Sequence, residues 1–277
     1  MCKYFVAFIF LLFSFSVSQA QSKCATTEVL EQIKKTDPAA YQRMVAQKNI
    51  PANARLTDDV YIIPVVVHVI YNTAAENIDD TRIYTQINTL NEDYRRLNAD
   101  TVNTPAQFAE VGADIGIEFC LASIDPYGDS TTGIIRKYTD TTEYLLSFSE
   151  EVKQSAQMGD DAWPASSYLN IWVCDLQDGI LGYAVSPGAS PEVDGIVVDY
   201  KNFGMADISS APYNLGRTAT HEVGHWLGLL HTFQRYDYAV TDPGGSMIAG
   251  QNQNLLFNAS TGNATWDFLI DTPPQKS

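Results

Sequence analysis

Three of the four histidines in this chain lie within eleven residues, HEVGHWLGLLH at positions 221–231. A core histidine is usually solitary, so three at this spacing indicate a shared partner. Residues four apart in a helix lie on one face, one turn apart, so His221 and His225 can reach the same ion. Imidazole nitrogens are common ligands of Zn²⁺. The spacing therefore predicts a zinc site.

The residues between these histidines fit a catalytic site. Glu222 leaves the helix at a different angle from His221, toward a metal-bound water rather than the ion, which is the position of a general base. Gly228 can adopt the left-handed conformation that ends a helix, and the turn would return His231 to the ion as third ligand. A fourth position left open for water is typical of catalytic zinc.

A simpler interpretation is an amphipathic helix packed on the core. Its apolar face would comprise Val223, Trp226, Leu227, Leu229 and Leu230. This interpretation explains the apolar residues but neither the histidines nor the glycine, so the zinc site is favoured.

The pattern HExxHxxGxxH is the metzincin signature, and YNLGRTATHEVGHWLGLLHTF resembles the pappalysin family of secreted metallopeptidases. The resemblance covers about residues 60–235. Its other segments are IIPVVVHVIYN, QINTLNEDYRRLNADT, IEFCLASIDPYGDSTTGIIR, YLNIWVCDL, LGYAVSPG and DGIVVDY, with DTPPQ at 271–275.

The resemblance implies a zinc endopeptidase that cleaves protein or peptide substrates. Zinc would be held by His221, His225 and His231, with Glu222 as general base. The substrate would lie extended along the edge strand 181–185. Main-chain contacts there would come from Gly182, Tyr183 and Ala184. The resemblance does not decide whether a structural Ca²⁺ ion is also bound.

The apolar patterns predict an α/β (α+β) fold. Residues 60–71 form a continuous β-branched run, as in a buried strand, and residues 82–97 have helical spacing. Further strands are predicted at 115–121, 169–176, 181–185 and 195–200. The order indicates a twisted, mixed, mostly parallel sheet with helices against it, matching the metzincin-like catalytic domain, with an active-site helix and a backing helix, that the resemblance implies.

The N-terminus has the pattern of a signal peptide. Lys3 precedes an apolar run at 4–17, and small residues end at Ala20, where we expect cleavage. The run is too short for a comfortable membrane span, and Cys24 lacks the upstream context of a lipid-modified cysteine. We therefore predict a secreted protein without a membrane anchor, of bacterial origin. The predicted regions are a signal peptide at 1–20, a propeptide at 21–58 and a catalytic domain at 59–277.

Cys24 is a candidate latency switch. In the pappalysins a prosegment cysteine in a CGT-like context can ligate the zinc, and here Cys24-Ala25-Thr26 takes that place, with alanine where glycine is usual. A thiolate would displace the water needed for chemistry. Cleavage near Arg55 would remove it. The alternative is a cysteine that is unpaired or bonded to another cysteine.

The sequence TTEVLEQIKK, which begins at Thr26, predicts a helix with a threonine cap.

The remaining cysteines, His68, the two sequons and the charge balance each narrow the possible structures or binding partners. Cys120 and Cys174 form either a disulfide or two buried thiols, and thiols are favoured. His68 is expected to be a satisfied core residue. The sequons at Asn258 and Asn263 are interpreted as an Asn-rich loop. With 17 basic and 33 acidic residues, the charge balance argues against nucleic acid and anionic membranes as partners.

The C-terminal region departs from the resemblance. Metzincins carry a methionine turn after the third histidine, and pappalysins a tyrosine soon after it. Beyond His231 the sole methionine is Met247, in GGSMIAG, which does not match. We expect an incomplete C-terminal subdomain in a truncated chain. The alternative function is a non-catalytic zinc- or protein-binding pseudoenzyme, against which the intact Glu222 argues.

Overall fold

The structure is a computed structural model that describes residues 23–48, 60–109, 112–145, 150–205 and 213–231, with two backbone segments at 240–241 and 247–248. The predicted signal peptide, Arg55, both sequons and the DTPPQ segment lie outside these residues, so the statements about them stay predictions. Among the described residues, no helix combines the length and the apolar composition needed to cross a bilayer.

The described residues form helices α1 to α4 and strands β1 to β8. The helices are α1 Thr26–Thr36, α2 Pro38–Lys48, α3 Asp80–Tyr94 and α4 Arg217–Trp226. The strands are β1 Tyr61–Tyr71, β2 Ile117–Leu121, β3 Ile134–Tyr138, β4 Leu169–Cys174, β5 Gly182–Val185, β6 Gly195–Asp199, β7 Val240–Thr241 and β8 Met247–Ile248.

Six strands form one sheet in the order β2-β1-β4-β6-β5, with β3 also paired to β1. Strands β2 and β3 share one edge of β1 in succession, and β4 takes the other edge. All pairings are parallel except that of β5 with β6, which is antiparallel. The predicted mixed, mostly parallel α/β fold is confirmed.

Buried apolar residues cover both faces of the sheet. On one face, Val67 and Ile171 pack with Leu90 of α3 and Val223 of α4. On the other face, Trp172 lies in a second cluster that includes the α1 residues Val29 and Leu30 and the α2 residue Met44. Full burial of one valine, leucine or methionine side chain stabilises a fold by about 1.5–3 kcal/mol. The two N-terminal helices are therefore part of the core of the described structure.

Several sequence-based expectations are corrected in the helices and strands. Strand β3 was not predicted, since its segment IIRKY is short and carries two adjacent charges. The threonine cap on α1 is wrong, because the N-cap residue is Ala25 and no side chain caps the helix. Leu227 and Leu229 are exposed rather than in the core, because α4 ends at Trp226 and the chain then turns.

The surroundings of His68, Cys120 and Cys174 decide between the alternatives that the sequence left open for them. His68 is fully buried, and its ring nitrogens lie 2.7 Å from Asp160 Oδ2 and 3.1 Å from Asn170 Oδ1, which confirms a satisfied core residue. Cys120 and Cys174 are both free thiols. Cys174 is buried as expected, whereas Cys120 is exposed on β2.

Candidate active site

Helix α4 is fixed at its N-terminal end by α3. The Tyr94 hydroxyl donates to the Thr220 carbonyl at 3.0 Å, and the Thr220 hydroxyl donates to Asp93 at 2.8 Å. Arg217, the first residue of α4, makes two hydrogen bonds to Asp100 at 2.7 and 2.9 Å. These contacts fix the first turn of α4, and with it the helix that carries His221 and His225.

Three histidine nitrogens converge beside α4. The distances between Nε2 atoms are 3.0 Å for His221 and His225, 3.1 Å for His225 and His231, and 3.3 Å for His221 and His231. Gly228 has a φ of 99°, a left-handed conformation that side chains rarely adopt, and this turn directs His231 back to α4. The structure thus brings together the three predicted metal ligands.

This triangle fits a metal ion better than mutual hydrogen bonding. His225 Nδ1 lies 2.8 Å from the Leu229 carbonyl, which can only accept, so the neutral ring keeps a lone pair on Nε2. Tetrahedral zinc with Zn–N bonds of about 2.0–2.1 Å needs nitrogens about 3.3–3.4 Å apart. Desolvation within the cluster and the neighbouring His231 lower the pKa of His221, and desolvation lowers the pKa of His231. Neutral rings are what a metal requires.

Glu222 lies next to the histidine cluster without belonging to it. Its side chain is buried, with Oε2 at 3.0 Å from the Thr26 hydroxyl and 3.5 Å from Cys24 Sγ. Burial raises the pKa of Glu222 to about 8, against the opposing effect of these two hydrogen bonds. The carboxyl therefore lies beside the histidines but outside the group of side chains that could hold a metal.

Cys24 completes a four-residue group that can hold a metal. Its Sγ and one nitrogen each of His221, His225 and His231 all lie within 4.8 Å of one another. Burial and the Glu222 carboxylate raise the pKa of the Cys24 thiol to about 12. A cation bound in the group reverses this preference, because a coordinating thiol is deprotonated.

The residues around Cys24 lie along the free edge of β5, whose other edge pairs with β6. Leu181 N–H donates to the Lys23 carbonyl at 2.8 Å, and Ala25 N–H donates to the Gly182 carbonyl at 3.1 Å. Ala184 N–H donates to the Thr26 hydroxyl at 2.9 Å. Residues 23–26 therefore occupy the edge at which the family resemblance implies substrate binding, and Cys24 bridges Gly182 in a parallel orientation.

The three predicted substrate-binding residues differ in their surroundings. A Cβ on Gly182 would lie 2.8 Å from the Val197 carbonyl oxygen and 3.0 Å from Glu222 Cγ, so a side chain does not fit there. Ala184 is fully buried. The Tyr183 side chain is buried as well, and its hydroxyl donates to Glu150 at 3.0 Å.

Several residues of the site were not found in the sequence. Thr26 contacts Glu222, and the Thr27 hydroxyl lies 3.3 Å from His231 Nδ1. The Ser186 hydroxyl donates to the His225 carbonyl at 2.8 Å. Their partners are far away in the sequence, and threonine and serine before a helix or in a loop are common. The one available signal was the position of Thr26, two residues after a candidate ligand.

Comparisons with known proteins agree with this geometry. The profile of the peptidase M43 family, described as pregnancy-associated plasma protein-A, matches residues 152–253. An extracellular metalloprotease of Colletotrichum graminicola is 31% identical over 230 residues, which are 80% of this chain and 69% of that relative. Three other curated extracellular metalloproteases are matched over only 32% to 54% of their own lengths.

Two solved structures are similar in both sequence and fold. A mutant of promirolysin from Tannerella forsythia is 46% identical, with a TM-score of 0.69, over 76% of this chain and 70% of that one. Mature mirolysin from the same organism, in complex with a cleaved peptide, is 47% identical with a TM-score of 0.62, over 71% of each chain.

Proposed function

We propose that this chain, which belongs to the pappalysin family of metzincin metallopeptidases, is a zinc-dependent endopeptidase made as a latent, secreted precursor. The observation that carries the proposal is the convergence of three histidine Nε2 atoms within 3.3 Å of one another beside the buried carboxyl of Glu222. The secreted location is supported by relatives that are named extracellular metalloproteases.

Each residue of the site has a separate task in peptide hydrolysis. His221, His225 and His231 hold the metal, and the Leu229 carbonyl orients His225 through Nδ1. When bound, Zn²⁺ lowers the pKa of its water and polarises the scissile carbonyl. Glu222 takes a proton from the attacking water and passes it to the leaving amine. A non-catalytic zinc site would have no use for this buried carboxyl.

The substrate is a protein or peptide that binds in extended form along β5. Once residues 23–26 are gone, the Gly182 carbonyl and the Ala184 N–H become free to bond a substrate main chain. Tyr183 lies between these two residues, and its buried side chain anchors β5 in the second core cluster. Gly182 packs directly against Glu222 and the Val197 carbonyl, so the absence of a side chain there lets β5 approach the carboxyl closely.

Latency comes from the prosegment, with Cys24 in the fourth ligand position. The buried thiol lies among the three histidines, where its thiolate would take the place of the water. Helices α1 and α2 fall within the predicted propeptide 21–58, and β1 begins just after it. Cleavage near Arg55 would separate the two regions, with 59–277 as the catalytic domain.

The test is metal reconstitution of the processed protein. We expect about one zinc per chain by elemental analysis, cleavage of an unfolded protein, loss of cleavage with a chelator and recovery with added zinc. The reconstitution step is needed because chelators also unfold calcium-dependent proteins. If the processed, zinc-loaded protein cleaves nothing, the endopeptidase proposal fails and the pseudoenzyme alternative is correct.

A further inference from the structure

Thr26 connects the prosegment to two parts of the site that are not metal ligands. It is the first residue of α1, and its side chain is buried with 3% exposure. Its hydroxyl donates to Glu222 Oε2 at 3.0 Å and accepts the Ala184 N–H at 2.9 Å. A hydroxyl has one proton and two lone pairs, so both bonds can exist at once.

We propose that the Thr26 hydroxyl is a second latch, which blocks the general base and the substrate edge of the precursor whether or not metal is bound. The inference rests on the proposed function, because it takes Glu222 as the base and β5 as the substrate edge. Neither Glu222 nor Ala184 belongs to the group that can hold the metal, so both hydrogen bonds remain when the metal is removed.

The two latches block different steps of the reaction. Cys24 would supply the fourth ligand of a bound metal, whereas Thr26 hydrogen-bonds the carboxylate that would accept the proton of the attacking water. Thr26 also occupies the Ala184 N–H that a substrate main chain would use. Removal of the thiol alone therefore leaves the base and the edge strand occupied, so latency would depend on two side chains, one on either side of Ala25.

The chemistry of Thr26 can be separated from its size. Valine has the same shape but puts a methyl group against a buried carboxyl and a buried N–H, leaving both without this partner. Serine keeps the hydroxyl and loses only a methyl. Thr26→Ala removes the hydroxyl without a new methyl contact and serves if the valine variant folds poorly. Thr36→Val is the matched control, since its hydroxyl bonds only the Gln32 carbonyl on the exposed side of the same helix.

The first experiment uses the full-length precursor after chelation, so its result does not depend on protease activity. Hydrogen exchange is measured at the amides of residues 24–30 and 181–185. We expect exchange about tenfold faster in Thr26→Val and Thr26→Ala, with Thr26→Ser and Thr36→Val close to wild type. Unchanged exchange in both hydroxyl-free variants would overturn the proposal.

The second experiment measures peptide cleavage by the zinc-loaded precursor before processing begins, checked on a gel. We expect Cys24→Ala with Thr26→Val to cleave about tenfold faster than Cys24→Ala alone, and the serine double variant to stay near Cys24→Ala. Equal rates in the two double variants would overturn the latch. If the processed wild type is inactive, the proposed function fails instead, and the exchange result still decides whether the hydroxyl holds the prosegment.

Discussion

Helix α4, which we call the metal helix for its proposed ligands, and residues 23–26 of the predicted prosegment contribute to the same candidate site in opposite ways. The helix and the turn after it supply all three histidines and Glu222 from eleven consecutive residues. The prosegment reaches the same atoms across about 200 positions, with separations of 198 for Cys24–Glu222 and 196 for Thr26–Glu222. The spacing of neighbouring residues therefore places the proposed ligands and base, whereas the contacts that would block them form only in the completed fold.

The largest effect is expected when the metal helix loses its ligands. His221→Ala combined with His225→Ala should abolish zinc binding and all cleavage, because one histidine cannot hold the ion. The fold should persist, since Val223 and Ala219 hold α4 in the core. Elemental analysis of the purified variant tests this. Zinc retained at the wild-type level would refute the three-histidine site.

The next effect separates ligation from proton transfer within the same helix. Glu222→Gln keeps the shape of the side chain but removes the base, so cleavage by the processed form should fall by about 10²–10⁴. Zinc content should not change, because Glu222 is not one of the ligand group. Activity is measured on an unfolded protein, with zinc quantified in the same samples. Undiminished cleavage would remove Glu222 from the mechanism.

A smaller effect is expected on the prosegment side. Cys24→Ala should raise peptide cleavage by the unprocessed precursor about tenfold, equivalent to about 1.4 kcal/mol, because water can enter the fourth ligand position. The rate of the processed form should stay the same. Cys120→Ala is the control, since that thiol is free and exposed on β2. Equal activity of the Thr26→Val precursor with and without Cys24→Ala would show that Cys24 is not a latch, because Thr26 no longer blocks the base in that pair.

The last prediction concerns the surface on which both regions meet, and its effect is on stability rather than on activity. Gly182→Ala should destabilise the protein by about 1–3 kcal/mol, because its Cβ would press on the Val197 carbonyl and Glu222. Gly224→Ala in α4 is the matched control, with its nearest contacts at 3.6 and 3.7 Å. The control should be neutral or slightly stabilising, since alanine favours helices. Thermal unfolding compares the two, and equal melting temperatures would contradict the close packing at Gly182.

Sequence patterns were sufficient where structure is local or repetitive. The helix and the turn at Gly228 follow from spacing and from glycine conformation. Strand β4 is a buried apolar run, and all six of its residues are buried. The exposed Leu227 and Leu229 were misassigned because the apolar periodicity was extended beyond the end of α4.

Sequence patterns were insufficient where a partner is chosen by the fold. Apart from its place two residues after Cys24, nothing near Thr26 indicates a bond to Glu222, and the same TT sequence suits an ordinary helix cap. The role of Cys24 required a family resemblance, since a lone cysteine carries no geometric information. Only the folded chain places both residues between β5 and α4.

The proposed prosegment is joined to the domain that it would block, and this connection would set its effective concentration. A tethered segment competes for its site at millimolar levels, however dilute the protein is. A cut between α2 and β1 would make the same contacts bimolecular, so the released segment would leave by dilution. We therefore expect activation to be nearly complete in dilute solution and partial wherever the precursor is concentrated.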